Sequence, residues 1–233
     1  MKKLTLTLLI ILFTLTSNVV WSADFQKGLD AYDIGDYATA LREFKSLAEQ
    51  GDSAAQYNLG VMYENGKGVP EDDKTAAKWY RLSAEQGDSD AQNNLGLMYL
   101  LGSGVTKDYK TAMKWFRLAA EQGDSDSQTS LGYMYDEGLG VPEDDNTAAK
   151  WYTLAAEQGN AGGMYNISLM YYYGEGVIQD NVYAHMWANI SASNGDEDGV
   201  KARDIIAKEM SSTDISQAQN LARECIAKNY KGC

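Results

Sequence analysis

Residues 52–87 read DSAAQYNLGVMYENGKGVPEDDKTAAKWYRLSAEQG, and residues 88–123 read DSDAQNNLGLMYLLGSGVTKDYKTAMKWFRLAAEQG. The two stretches align without a gap, and the register continues through 124–159 and 160–195. Gly51, Gly87, Gly123, Gly159 and Gly195 recur every 36 residues, the first four closing an Ala-Glu-Gln-Gly run. In the same register lie Leu59, Leu95, Leu131 and Ile167, then Met62, Met98, Met134 and Met170, each followed by a tyrosine. Trp79, Trp115, Trp151 and Trp187 complete it. Self-similarity at a fixed period of about 20–50 residues is the mark of a stacked-repeat architecture.

Each unit predicts two helices. Asp52, Asp88, Asp124, Asn160 and Asp196 follow the recurring glycine, where a side-chain oxygen can accept from the free N–H groups of a new helix; such a cap contributes about 1 kcal/mol. Ala55, Leu59, Met62 and Tyr63 then share one face. A Gly-x-Gly-Val turn at Gly66, Gly102, Gly138 and Gly174 breaks the chain, and Asp72, Asp108, Asp144 and Asp180 are placed to cap the second helix. There Ala76, Trp79, Tyr80 and Ser83 line an inward face, with Lys78 and Arg81 opposite. Neither helix can bury its apolar face alone, so the units must stack. The expected fold is all-α, an αα-superhelical solenoid of helix-turn-helix repeats, with Gly60, Gly96 and Gly132 letting helix axes approach closely.

The ends differ from the middle. Gly28, Gly35, Tyr37, Ala40 and Phe44 predict a first helix pair with a shorter loop, over 23–51. Residues 196–233 read as two more polar helices that close the stack, with Asp214 as the cap of the last. Lys2 and Lys3, the apolar run from Leu4 to Phe13, and the small or polar residues after it have the layout of a secretory signal peptide over 1–22, cut after Ser22. An exported, periplasmic or secreted protein follows, without stable membrane insertion after cleavage.

Composition narrows the function. Twenty Lys and Arg against 33 Asp and Glu give a net charge of −13, which opposes nucleic acid, whose phosphates must be neutralised by cations, and anionic lipid headgroups. One histidine and two cysteines exclude a zinc site built from several His and Cys ligands. His185 falls in the register of Ala77, Met113 and Ala149, and a general base needs a placed partner that the neighbouring sequence does not supply. It reads as a packed helix residue. The Gly-x-Gly turn lacks the following Gly-Lys-Ser/Thr of a phosphate loop. The Asp72-Asp73 and Asp144-Asp145 pairs lack the spacing of a calcium loop. No catalytic, metal or cofactor residue is assigned. Cys225 and Cys233 form an even pair in an oxidising compartment. A bridge between them would contribute about 2–3 kcal/mol on the chain-entropy model; free or intermolecular thiols are the alternative.

The Leu-Gly-x-Met-Tyr run of Leu59–Tyr63, the Gly-x-Gly-Val loop, Ala-x-Lys-Trp-Tyr over Ala76–Tyr80 and Ala-Glu-Gln-Gly together resemble the Sel1-like repeat proteins, relatives of the tetratricopeptide class with a longer interhelix loop. Four copies over 52–195 carry the resemblance, and the helix pair at 23–51 looks more like a tetratricopeptide unit. The fourth copy departs at Ser168 for Gly, Met186 for Lys and Ala188 for Tyr or Phe. The resemblance implies a protein–protein or peptide-binding scaffold without chemistry of its own. Its cysteine-rich secreted branch, associated with β-lactam binding or hydrolysis, makes a cell-wall enzyme the alternative. That branch carries paired cysteines in its repeats, and here none precedes Cys225.

Positions that vary between copies point to the partner. On the first helices these are 57, 61, 64 and 65 and their equivalents, away from the repeating Leu and Met. Large apolar residues on such a face are candidates for partner contact. Leu97, Leu101, Tyr133, Tyr165, Leu169, Tyr172 and Tyr173 are therefore expected to line a concave groove for a protein or peptide; ordinary packing between repeats is the competing reading.

Overall fold

A computed structural model describes residues 25–233, so the signal-peptide reading of 1–22 lies outside the described residues. They form helices joined by turns, without a strand among them, and divide into two compact units at Thr106. The first contains α1 (25–33), α2 (Tyr37–Glu49), α3 (Ser53–Glu64), α4 (Asp73–Ala84) and α5 (Ser89–Leu101). The second contains α6 (Tyr109–Glu121), α7 (Ser125–Asp136), α8 (Asp145–Ala156), α9 (Ala161–Tyr173), α10 (Asn181–Ser193), α11 (Glu197–Ile206) and α12 (Ser212–Ala227), with a 3-10 turn at Ala207–Glu209. No described helix is long and apolar enough to cross a membrane.

The helix starts follow from the caps. Asp52, Asp88 and Asp124 accept from the N–H three residues on, at 2.8, 2.8 and 2.7 Å, and Asn160 does the same at 2.8 Å. At the second helices Asp72, Asp108 and Asp144 each accept a threonine hydroxyl at 2.6 Å as well as the threonine's N–H. These bonds to the ionised form hold all three carboxyls below the usual range. The last helix is capped differently from expectation. Ser211, not Asp214, is its N-cap: the Ser211 hydroxyl accepts from Asp214 N–H at 3.2 Å while Asp214 bonds back to the Ser211 hydroxyl and N–H. The serine hydroxyl fits at the non-helical position and leaves the aspartate in the first turn.

Within the first unit Ala40, Phe44, Leu47, Ala55, Leu59 and Met62 form a closed core. In the second, Tyr152, Met164, Ile167, Met170, Trp187 and Ile190 do so, with Ala218, Ala222 and Cys225 of α12 laid over them. The inward face of each second helix is Ala76, Ala77, Tyr80, Ser83 and Ala84 or its equivalent. Trp79 is only half-buried, at the margin of the first unit's core rather than on that face as expected. Its indole is too large for the space between helices that alanines set, whereas Trp187 is buried in the core that α12 covers.

Close approach depends on glycine paired with an aromatic ring. A Cβ on Gly28 would lie 2.6 Å from the Phe44 ring, one on Gly60 2.6 Å from Tyr80, and one on Gly132 2.5 Å from Tyr152. In the fourth copy the ring is replaced by Ala188 and the glycine by Ser168, so its two departures compensate each other. Buried glutamines tie successive helices together. Gln56, Gln92 and Gln128 donate to the carbonyls of Ala48, Ala84 and Ala120 at 3.1, 3.0 and 3.2 Å. Gln86 and Gln158 donate in turn to the Gln56 and Gln128 carbonyls, both at 2.7 Å.

Candidate functional site

The outward positions of the first helices carry no Lys or Arg in α3, α5, α7 or α9. In the first unit Leu97 is 36% and Leu101 67% exposed. In the second, Tyr133 is 43% and Tyr173 60% exposed. Tyr165, Leu169 and Tyr172 are half-buried instead, packed on Ala184, Ala188, Ala202 and Ile206. Tyr172 donates its hydroxyl to Glu209 at 2.7 Å, which raises its pKa, and its ring meets Tyr173 edge-on at 4.9 Å. Burial raises the Tyr165 phenol as well. The structure thus gathers Tyr165, Leu169 and Tyr172 into one cluster against α10 and α11. Leu97 and Leu101 lie on α5, in the other unit.

Variation did not always mean exposure. Glu64 accepts the hydroxyl of buried Tyr80 at 2.6 Å, and Asp136 that of buried Tyr152 at 3.3 Å. Burial raises both phenols further, and it raises the Asp136 carboxyl too. Where the second helix carries Phe116, which has no hydroxyl, the register of Glu64 holds Leu100. These positions vary with the partner they serve, a coupling visible in the sequence once the register is known.

His185 is buried in α10 with its Nδ1 unpartnered. Burial, then the charge of Arg203, push its pKa down. Cys225 and Cys233 are joined, their Cα atoms 5.5 Å apart, within the ordinary range for a bridge. The turn they close carries the Tyr230 ring over Gly159. Among the described residues no three His, Cys, Asp or Glu side chains converge as a metal site would require.

The second helices present features that the sequence reading passed over. Lys74, Ala77, Lys78, Arg81 and Leu82 of α4, with Gly104 and Val105, line a cavity of about 590 Å³. Gly104 makes it possible: at φ 67° it packs so tightly that a Cβ would stand 2.2 Å from the Asp73 carbonyl oxygen. An equivalent cavity of about 640 Å³ lies against α8, lined by Asn146, Ala149, Lys150, Thr153, Leu154, Gly176 and Val177. On α6 the corresponding space is about 270 Å³, with Met113 in the place of Ala77. The signal was present in the recurring Lys-x-x-x-Lys-x-x-Arg-Leu at 74–82 and 110–118.

The sequence profile of the Sel1 repeat matches residues 53–88, 89–124, 125–160 and 161–196, more than half of the chain. The chain belongs to the Sel1 repeat family. Its structure is similar to a Sel1 repeat protein from Oxalobacter formigenes, with a TM-score of 0.73 and 33% identity over 80% of this chain and 74% of that one. It is also similar to c5321, a protective antigen of uropathogenic Escherichia coli strains, with a TM-score of 0.58 and 30% identity over 90% of this chain and 55% of that one. A segment of 45 residues is 42% identical to DAP3-binding cell death enhancer 1 of Rattus norvegicus, covering 19% of this chain and 9% of that protein. The all-α fold of stacked helix pairs is the fold of this family, whose members generally act as protein-interaction scaffolds.

Proposed function

We propose that this Sel1 repeat protein is a non-catalytic scaffold of the cell envelope that binds a protein or peptide through the outward surface of its first helices. The observation that carries the reading is the exposure of Leu97 and Leu101 in the first unit and, separately, of Tyr133 and Tyr173 in the second, on helices whose other face is packed alike in every copy. Exposed large apolar side chains lose little on docking and gain the burial of their area. Within the second unit Tyr165, Leu169 and Tyr172 are held in place by α10 and α11. Export rests on Lys2, Lys3 and the apolar run from Leu4 to Phe13.

The test is a crosslinking pull-down from native envelope with the mature chain beside an L97A/L101A/Y133A/Y173A variant. A protein captured by the first and lost from the second is the expected result. Equal capture by both would move the interface off the first helices. A chromogenic β-lactam is expected to remain intact with the purified chain, and turnover would restore the cell-wall enzyme reading.

A further inference from the structure

We propose that the cavity formed by α4 and the Gly104-Val105 turn is a docking site for an acidic polypeptide segment bearing an apolar side chain. It lies on the second helices and stands independently of the first-helix reading. Lys74, Lys78 and Arg81 fall at successive turns of α4 on one side of the cavity, and Ala77, Leu82 and Val105 supply an apolar floor. Its volume lies within the range of ligand clefts, about 300–1,000 Å³.

Three observations favour an acidic occupant. The first is charge placement: in a chain of net charge −13, the first helices α3, α5, α7 and α9 carry no Lys or Arg, while α4 carries three. The second is that these cations stand in no ion pair, although the charge of Lys78 is felt by the Asp72 carboxylate at the start of the same helix. The ion pairs among the described residues join Lys27 and Arg42 to Glu43, Lys201 to Asp198, and Arg203 to Asp204; none draws on α4. Arg81 is instead steadied by the Tyr99 hydroxyl and ring, both neutral. A guanidinium so held is pre-oriented and still offers N–H groups to a carboxylate. The third is an internal comparison. The α8 cavity keeps the shape and the floor, with Ala149, Leu154 and Val177, but has Asn146 and Thr153 where α4 has Lys74 and Arg81. Lys150 keeps the place of Lys78, so the fold builds this cavity with one cation instead of three, and Lys74 and Arg81 at α4 are not a packing requirement. On α6 the cations recur as Lys110, Lys114 and Arg117, but Met113 fills the floor.

A short acidic peptide fits better than nucleic acid or an anionic membrane, because those present negative charge well beyond this small cationic patch, where the surrounding acid surface repels it. The cations span only about 10 Å along the helix, the reach of a few residues of extended chain.

The probe is a displayed library of random dodecapeptides selected on the full chain. Selected peptides should be rich in Asp and Glu beside Leu, Ile or Phe. By fluorescence anisotropy a selected peptide should bind at a stoichiometry of one and weaken with salt. It should lose about tenfold or more in affinity, equal to about 1.4 kcal/mol, against K78E/R81E and less against K78Q/R81Q. Both variants change exposed side chains, and matching circular dichroism would exclude misfolding. L97A/L101A/Y133A/Y173A should leave this binding unchanged, which separates it from the first-helix surface. N146K/T153R should raise the stoichiometry to two. Recovery of no binder, peptides without acidic enrichment, or affinity indifferent to K78E/R81E would overturn the proposal. Salt-sensitive self-association abolished by K78E/R81E would give the site to a second copy of the chain and overturn it equally.

Discussion

Replacing Gly132 with alanine should destabilise the protein, and removing the Tyr152 ring should reverse the sign of that effect. In an exposed helix the same change stabilises by about 1 kcal/mol, because glycine forfeits more backbone entropy. Here the new Cβ would stand 2.5 Å from Cδ1, 2.6 Å from Cε1 and 3.0 Å from Cγ of Tyr152. Ordinary carbon contacts are about 3.5–4.0 Å, so ring or helix must move by roughly 1 Å. The ring has little room to do so. It is buried on all sides and its hydroxyl is bonded to Asp136. Overpacking costs about 1–3 kcal/mol, and contact near the root of a held ring belongs at the upper end. The net cost of G132A is then about 2 kcal/mol, a fall in Tm of about 4–8 °C for a chain of this size. In a Y152A background the obstacle is gone and G132A should recover about 1 kcal/mol. The coupling of about 3 kcal/mol far exceeds the additivity error of about 0.3–0.5 kcal/mol for independent sites. Urea unfolding of the four proteins, followed by far-ultraviolet circular dichroism, reads the cycle directly. G132A that is neutral or stabilising with Tyr152 in place would refute the glycine–ring account of close packing.

Three further outcomes follow from the same structure. The caps Asp72, Asp108 and Asp144 have carboxyls held below their ordinary range chiefly by the threonine hydroxyls. Their stabilisation is therefore complete above the unfolded carboxylate pKa and lost as pH falls through the folded one. A D72N/D108N/D144N variant should be less stable than the native chain at neutral pH and converge with it in acid; a constant gap in the urea midpoints would contradict this. His185, whose pKa burial depresses from 6.5, takes up its proton first in the unfolded chain. Stability should thus be full above about pH 6.5 and decline as pH falls below it. H185M, which copies the residue at Met113, should flatten that decline, and an unchanged slope would remove His185 from the account. Alkylation under non-reducing conditions should add nothing to Cys225 or Cys233, and C225A/C233A should cost about 2–3 kcal/mol in urea. Two thiol adducts in the mass spectrum would show the pair unbridged.

The repeat and its caps were legible because both are local. A glycine with an aspartate one residue on opens the first helix, and an aspartate just after the Gly-x-Gly-Val turn opens the second, so both are read in the order in which the backbone uses them. Trp79 was misplaced because helical spacing gives direction without the distance to the next helix, which the alanines fix. Asp214 has a side chain that suits a cap, but Ser211 stands closer to the turn and takes the position. Leu169 stands where Leu97 and Tyr133 are exposed in earlier copies, and its packing with Ala202 and Ile206 of α11 belongs to no repeat. Burial imposed by elements that are not repeats has no periodic signature. The cavity on α4 went unread for a related reason: one wall comes from Val105, far along the chain from Lys78.

The glutamine relay bears on how such a chain can lengthen. Gln128 and Gln158 meet each other and the Ala120 carbonyl within residues 109–158, so a tandem duplication of 125–160 would bring its own donor and acceptor to the new junction. Residues 161–196 would not. There Met164 stands in the glutamine register, and Asn194 meets its sulfur at 3.6 Å. The junction of the third and fourth copies is thus held by packing around the Met164 thioether in place of the amide relay, and a duplicate of this copy would add a junction of that apolar kind.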